Sequence, residues 1–228
     1  MKLTFLGHSC FAIEQDNRVF IFDYYQDEMG IVSHYLAGEK EVWFFVSHSH
    51  DDHFNPEIAN AAKRASYYIL HKDVPLSGVP EDKIIRMEPY EEVSVDGVKI
   101  KMYGSTDEGG SFYVDHNSRT LFFAGDLNWW HWLGDTDENN REAKMLYDRE
   151  MDMLDGLCPD TALFPVDARL EDAREWGVLG FLEHVQVGKC LVPMHYCGPA
   201  WEPSLYFEAK FGDVPLWIPH RPGDEHRI

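Results

Sequence analysis

The sequence predicts an α+β chain in which two sheets pack between helices, and three observations carry that expectation. The first residues alternate apolar and polar side chains in short runs separated by tight turns. A second strand-rich stretch runs from 84 to 124. Beyond it, helical and strand-like segments alternate towards the C-terminus; strands first and helix–strand alternation afterwards fit two layered sheets. The 228 residues suffice for a sizeable core. No repeat, low-complexity tract or linker interrupts them, so residues 1–228 read as a single domain.

In chain order, "KLTFLG" and "CFAIEQ" alternate, "DN" turns, and "RVFIFDYY" follows, as in a β-meander. "VWFFVS" (42–47) is a short aromatic and β-branched run, the composition of a buried strand. "PEIANAAKRA" (56–65) reads as a helix with Pro in its first turn. "SYYILH" (66–71) reads as the next strand. "KIIRME", "EEVSVDGVKIKMYG", "SFYVD" and "RTLFFAG" then read as strands, with "DHNSR" as a hairpin turn. "NREAKMLYDREMDML" (140–154) has helical apolar spacing. "TALFPVD" reads as a strand, "WGVLGFLEHVQVG" as a helix and "KCLVPMHY" as a strand. "SLYFEAKFG" and "PLWIPH" close the chain as a helix and a strand.

A net charge of −20 argues against long nucleic acids as ligands, because phosphate binding draws on clustered Lys and Arg. A small anionic substrate is still compatible, since bound metal ions add local positive charge. No apolar run approaches the length of a membrane span, and the N-terminus lacks the apolar core of a secretory signal, so a cytoplasmic location is expected. Cys10, Cys158, Cys190 and Cys197 form no CxxC pair and read as reduced, mostly buried thiols. The sequence leaves assembly into a homo-oligomer open.

The strongest local signal is "HSHDDH", which places His48, His50, Asp52 and His53 directly after a predicted strand. Imidazole and carboxylate suit Zn²⁺ and other borderline divalent ions. In extended backbone His48 and His50 point the same way and can share one ion. The turn that follows can send Asp52 and His53 to a second.

This run resembles the HxHxDH signature of the metallo-β-lactamase superfamily. "LGHSCFAIE" and "FIFDYY" resemble the opening hairpin of its ascorbate-6-phosphate-lactonase-like branch. "FFAGD" is similar to the segment whose Asp bridges two metals, and "VPMHY" to the late histidine motif. The matches come in the family order and cover nearly the whole chain. The resemblance implies a four-layer αββα sandwich. It also implies His48 and His50 on a first metal, Asp52, His53 and His195 on a second, and Asp126 bridging them. One or two ions are implied, Zn²⁺ first, with Mn²⁺ or Fe²⁺ as alternatives.

The family's first site takes a third histidine from a Gly-His-Thr-like turn, and here that turn is "GST", with Ser105 in its place. His116 is the nearest histidine, but it lies in the turn after "SFYV". A strand of five or six residues spans roughly 17 Å, so that turn is at the far end from Asp126 and His116 reads as a surface turn residue. The same hairpin brings Ser105, Thr106, Asp107 and Glu108 towards Asp126. Asp107 is the favoured replacement ligand and Glu108 the next; otherwise "DEGG" is an ordinary acidic turn. A carboxylate for imidazole would tilt metal choice towards harder ions.

His8 reads as a pocket residue or a structural histidine. Asp23 resembles the family's carboxylate partner to a metal-bound imidazole. "NWWHW" reads as an apolar wall over the site, with His131 a proton donor or substrate contact. Asp167 either touches the site or caps the segment after it. His34, His71, His184, His220 and His226 carry no spacing signal. The expected activity is hydrolysis of a small ester, lactone or phosphorylated metabolite by metal-activated water, with Asp52, Asp126 and His131 as catalytic residues. The alternatives are a metal-binding sensor or scaffold with a degenerate first site, and a phosphodiesterase or nuclease.

Overall fold

The computed structural model describes residues 1–228 as two compact units, Met1–Glu88 with Pro219–Ile228 and Pro89–Ile218. No helix is long and apolar enough to cross a membrane.

The first unit holds a seven-stranded sheet. β1 (Lys2–Gly7), β2 (Cys10–Gln15) and β3 (Arg18–Phe22) form the antiparallel meander expected from their alternation. α1 (Ile31–Ala37) then leads to β4 (Glu41–Val46), which runs parallel to β3. β5 (Ala65–His71) and β6 (Ile84–Met87) continue the parallel set. Parallel strands covered on both faces read as continuous apolar runs, which is why "VWFFV" does not alternate. Val42, Phe44 and Val46 join the cluster with Ile58 and Tyr68. On the other face Phe22 stacks on Phe45 at 4.6 Å, and Phe20 meets Trp43 and Phe45 edge-on, each at 5.7 Å. Each such burial contributes roughly 1.5–3 kcal/mol.

The second unit holds a six-stranded sheet. β7 (Glu92–Val95), β8 (Val98–Tyr103), β9 (Ser111–His116) and β10 (Arg119–Phe123) are antiparallel. After α2 (Asp137–Leu154), β11 (Thr161–Pro165) pairs parallel with β10. After α3 (Trp176–His184), β12 (Cys190–Met194) pairs parallel with β11. Phe181 of α3 stacks on Phe122 and Phe164 at 5.5 and 4.5 Å and seats the helix on the sheet. α4 (Leu205–Phe211) follows, and β13 (Glu225–Arg227) returns to pair with β1 in the first sheet.

Five local expectations need correction. Residues 56–61 form a 3₁₀ turn rather than a helix through 65: Asn55 caps Glu57 N–H, and the bonds that follow are of the i→i+3 kind. α2 starts at Asp137, where the Thr136 hydroxyl accepts from Asn139 N–H and two acids occupy the first turn. "PLWIPH" makes only a single bridge, Leu191 to Leu216; prolines at 215 and 219 remove ladder donors. α1 was not foreseen; the Asp27 carboxylate caps it through Val32 and Ser33 N–H. His116 is buried at the end of β9, not on the surface, because Asn117 and Ser118 turn the chain with positive φ. Cys10 and Cys190 are buried as expected, while Cys158 and Cys197 are exposed, and no disulfide forms.

Candidate metal centre

In the first unit the candidate donors stand at the carboxyl ends of neighbouring parallel strands. Asp23 follows β3, and its N–H donates to Phe45 O of β4 at 2.9 Å. Ser47 and His48 follow β4. Asp23 is fully buried and accepts three hydrogen bonds: Ser47 N–H on Oδ1 (2.7 Å), and Ser47 Oγ–H and His53 Nδ1–H on Oδ2 (both 2.6 Å). Because the Ser47 proton goes to Asp23, Ser47 Oγ accepts from His48 Nδ1–H at 2.9 Å. That network assigns the proton of both imidazoles to Nδ1 and turns both Nε2 lone pairs away from it. His48 Nε2 then faces His50 Nδ1 at 3.0 Å. The His48 and His53 rings lie 4.1 Å apart, since His53 and Phe54 N–H both bond His50 O in a tight turn.

His8 completes this cluster from the β1–β2 turn. Its Nε2 lies 3.1 Å from Asp52 Oδ2 and its ring 5.5 Å from that of His53. The His8 imidazole, ahead of opposing burial, holds the Asp52 carboxyl well below the usual carboxylate range.

The second unit repeats the arrangement. Asp126 follows β10, Asp167 follows β11 and His195 follows β12, so all three leave the carboxyl ends of adjacent parallel strands. His195 Nδ1–H donates to Asp167 Oδ2 (3.0 Å), while His195 Nε2 lies 3.4 Å from Asp126 Oδ1. Arg169 grips Asp167 through Nε and Nη2 (2.6–3.1 Å). Burial pushes the Asp167 carboxyl up, but His195 and Arg169 outweigh it and bring it to about 2. Asp167 also caps the next segment, accepting from Arg169 N–H at 2.8 Å. Both roles considered for it in the sequence are therefore present.

His48, His53 and His195 thus share one device: an oxygen partner fixes Nδ1–H and the ring offers Nε2. Metal-binding imidazoles are commonly held this way, and the donor set fits a borderline divalent ion. Asp23, His48 and His53 form one group of close donor atoms; Asp167, His195 and Cys197 form another. His8, Asp23, His195 and Cys197 have positive φ (51°, 45°, 56° and 43°), a conformation that costs non-glycine residues on the order of 1–2 kcal/mol and gathers at functional sites.

Two expected residues sit elsewhere. Asp107 is exposed in the bend after Thr106 and joins neither donor group. It is Thr106 that ties this turn to the Asp126 loop, donating to Asn128 O at 2.6 Å and accepting Asn128 N–H at 2.9 Å. His131 packs on Trp176 (4.6 Å) and Trp129 (6.2 Å). The residue beside the donors is Trp130: its ring lies 5.5 Å from His195 and its indole N–H donates to Asp126 O at 2.9 Å. Trp132 stacks on Trp130 at 6.0 Å, and Arg169 lies over Trp132 at 5.5 Å. Ser47, Arg169 and Cys197 were also missed. Ser47 had a signal, a hydroxyl at the strand end next to the first histidine; the other two had none.

Two mixed sheets whose strand ends gather imidazoles braced by carboxylates define a metal-binding class of α+β protein. Within that class, residues 2–168 match the Beta-lactamase superfamily domain, and the chain belongs to that superfamily. A metal-dependent hydrolase of family UPF0173 from Natranaerobius thermophilus is 26% identical over 55% of this chain and 60% of its own length. A second, from Methanoculleus marisnigri, is 27% identical over 86% of this chain and 81% of its own. The first alignment therefore spans under two thirds of that relative. Among solved structures, Igni18, a metallo hydrolase from Ignicoccus hospitalis, superposes with a TM-score of 0.64 at 16% identity over 100% of this chain and 98% of its own, a likeness of fold.

Proposed function

We propose that this chain is a metal-dependent hydrolase acting on a small ester, lactone or phosphorylated metabolite. The observation that carries the reading is the shared bracing of His48, His53 and His195, each with Nδ1–H fixed by Ser47, Asp23 or Asp167 and Nε2 presented as a ligand. The names of the two curated relatives support it.

In this reading His48, His50, Asp52 and His53 of the first unit and Asp126 and His195 of the second would be the metal ligands. A bound divalent ion supplies Lewis acidity and lowers the pKa of a coordinated water towards neutrality. The chain's own residues do the rest. Asp23 and Asp167 keep the imidazoles in the ligating tautomer. Asp126 orients the nucleophile. Trp130 walls off one side of His195 and excludes water there. Zn²⁺ is the first choice, with Mn²⁺ or Fe²⁺ as alternatives. The net charge of −20 favours a small-molecule substrate over nucleic acid and disfavours the phosphodiesterase or nuclease alternative. A cytoplasmic location and a homo-oligomeric assembly belong to the same reading.

One observation favours a second reading, a metal-binding sensor or scaffold. Ser105 replaces the family's third histidine, and the exposed Asp107 joins neither donor group. Elemental analysis together with a panel of ester, lactone and phosphate substrates separates the two. Two ions per chain, with hydrolysis lost in His48→Ala, His53→Ala and Asp126→Asn, supports the hydrolase. Undiminished hydrolysis in all three would sink it. One ion or none, without turnover of any substrate class, leaves the sensor.

A further inference from the structure

A cavity of about 790 Å³ opens among α2, α3 and α4 in the second unit, and neither Asp126 nor His195 lines it. Its volume lies in the range of small-molecule sites. One wall is aromatic: Trp129 stacks on Tyr147 at 6.0 Å and packs at a tilt on Trp176 at 5.0 Å. An ammonium already rests on this wall, with Lys144 Nζ 4.7 Å over the Trp129 ring, so the face takes a cation.

The charges on the lining are unbalanced in one direction. Lys144 pairs with Asp148, and Lys210 with Glu183. Arg174 is spent on the carbonyls of Val166 and Pro199 at 3.2 and 2.7 Å. Glu175 receives the Trp201 indole N–H and the Ser204 backbone N–H, both at 2.7 Å. Glu171, Asp172 and Glu202 carry no ion pair and stand exposed on the same cavity. The cavity thus combines an apolar cation-accepting wall with three uncompensated carboxylates.

We propose that this cavity binds a small organic cation with two or more amino or guanidinium groups, its hydrocarbon against Trp129 and Trp176 and its charges towards Glu171, Asp172 and Glu202. The inference does not depend on the hydrolase reading. The loop after Asp126 has two faces: Trp129 and His131 turn to the cavity side with Trp176, while Trp130 and Trp132 turn to His195 and Arg169. His131 thereby acquires a place as a support for the aromatic wall. An occupied cavity changes the surroundings of Trp129 and Trp176, so intrinsic fluorescence reports binding.

The test titrates the full chain with spermidine at physiological salt, where long-range attraction to a charged surface is largely screened, and follows fluorescence and heat. A saturable 1:1 isotherm is expected, weakened at least tenfold in E171Q/D172N/E202Q. It should be unchanged in E39Q/E81Q/D82N, which removes the same charge from exposed sites in the first unit. W176A should also weaken binding, with W176F retaining most of it. Three outcomes overturn the proposal: no saturation, equal loss in both triple variants, or tetralysine binding tenfold more tightly than spermidine with the same variant pattern. The last would make the cavity a groove for a basic peptide.

Discussion

Replacing Asp23 by Asn is the sharpest test of how the first donor cluster works, because it changes one oxygen for an NH₂ group at nearly constant volume. Asp23 accepts three bonds on two oxygens, and an amide has only one accepting atom. If the amide oxygen takes the Oδ2 position, its NH₂ faces the Ser47 backbone N–H, a donor against a donor. If it takes the Oδ1 position, the NH₂ faces His53 Nδ1, which can accept only by moving its proton to Nε2 and withdrawing the ligating lone pair. The first arrangement leaves a buried donor without a partner, at about 1–3 kcal/mol. For a chain of this size that is roughly 2–4 °C in Tm per kcal/mol, measured on the metal-free protein. The second costs metal affinity, on the order of 10–100-fold for a lost bracing partner. Calorimetric unfolding of the chelated protein, competition dialysis for metal and long-range ¹H–¹⁵N spectra of the His53 ring read the two arms. Wild-type Tm, wild-type affinity and an Nδ1–H tautomer of His53 in the variant would together refute the bracing argument.

Three further outcomes concern a close backbone approach, an ion-paired carboxylate and the thiols. A Cβ on Gly104 would lie within 2.6 Å of the buried Glu150 carboxyl carbon, so Gly104→Ala should destabilise by about 1–3 kcal/mol. Glu150→Ala in the same chain should recover part of it in a double-mutant cycle; strict additivity would show that the two do not touch. Burial pushes the Asp160 carboxyl up, but Thr120 N–H and Lys189 outweigh it and hold it below its ordinary value near 3.9. Its stabilisation is therefore present above about pH 4 and lost as pH falls through the lower folded value. Asp160→Asn should be less stable than wild type at pH 7 and indistinguishable from it in strong acid; a pH-independent difference in urea midpoints counts against this. Burial raises the thiols of Cys10 and, to about 12, Cys190, whereas Cys158 and Cys197 are exposed. A thiol-reactive disulfide reagent should count two groups in the native chain and four after denaturation.

How much of this was legible in the sequence depended on whether the signal was local. "VWFFVS" announced a buried strand because its side chains must be apolar on both faces, and "HSHDDH" announced donors because three histidines there have no other common use. The partners of those donors were legible only where a strand end marked them, as for Asp23 and Asp167. Arg169 and Cys197 reach His195 and its brace through backbone geometry, including positive φ at His195 and Cys197, that no residue pattern encodes. Strand expectations failed where two prolines bracket "PLWIPH", and the helix after Pro56 shrank because the chain must reach β5 at Ala65. The two faces of the Asp126–Trp132 loop were hidden for the same reason. A run of three tryptophans and a histidine looks like one wall until the neighbours on each side are known.

The turn 104–108 has a structural role that does not depend on metal binding. Ser105 stands where the resemblance calls for an imidazole, and the adjacent Asp107 is exposed and belongs to neither donor group. Thr106 nonetheless exchanges two hydrogen bonds with Asn128, and Gly104 approaches the Glu150 carboxylate so closely that a side chain cannot fit. The turn therefore serves to hold the loop that carries Asp126. His53 and His195 each keep a fully buried carboxylate partner, Asp23 and Asp167. The buried polar contacts go to the imidazoles themselves: Ser47 and Asp23 brace His48 and His53 in the first unit, and Asp167 braces His195 in the second.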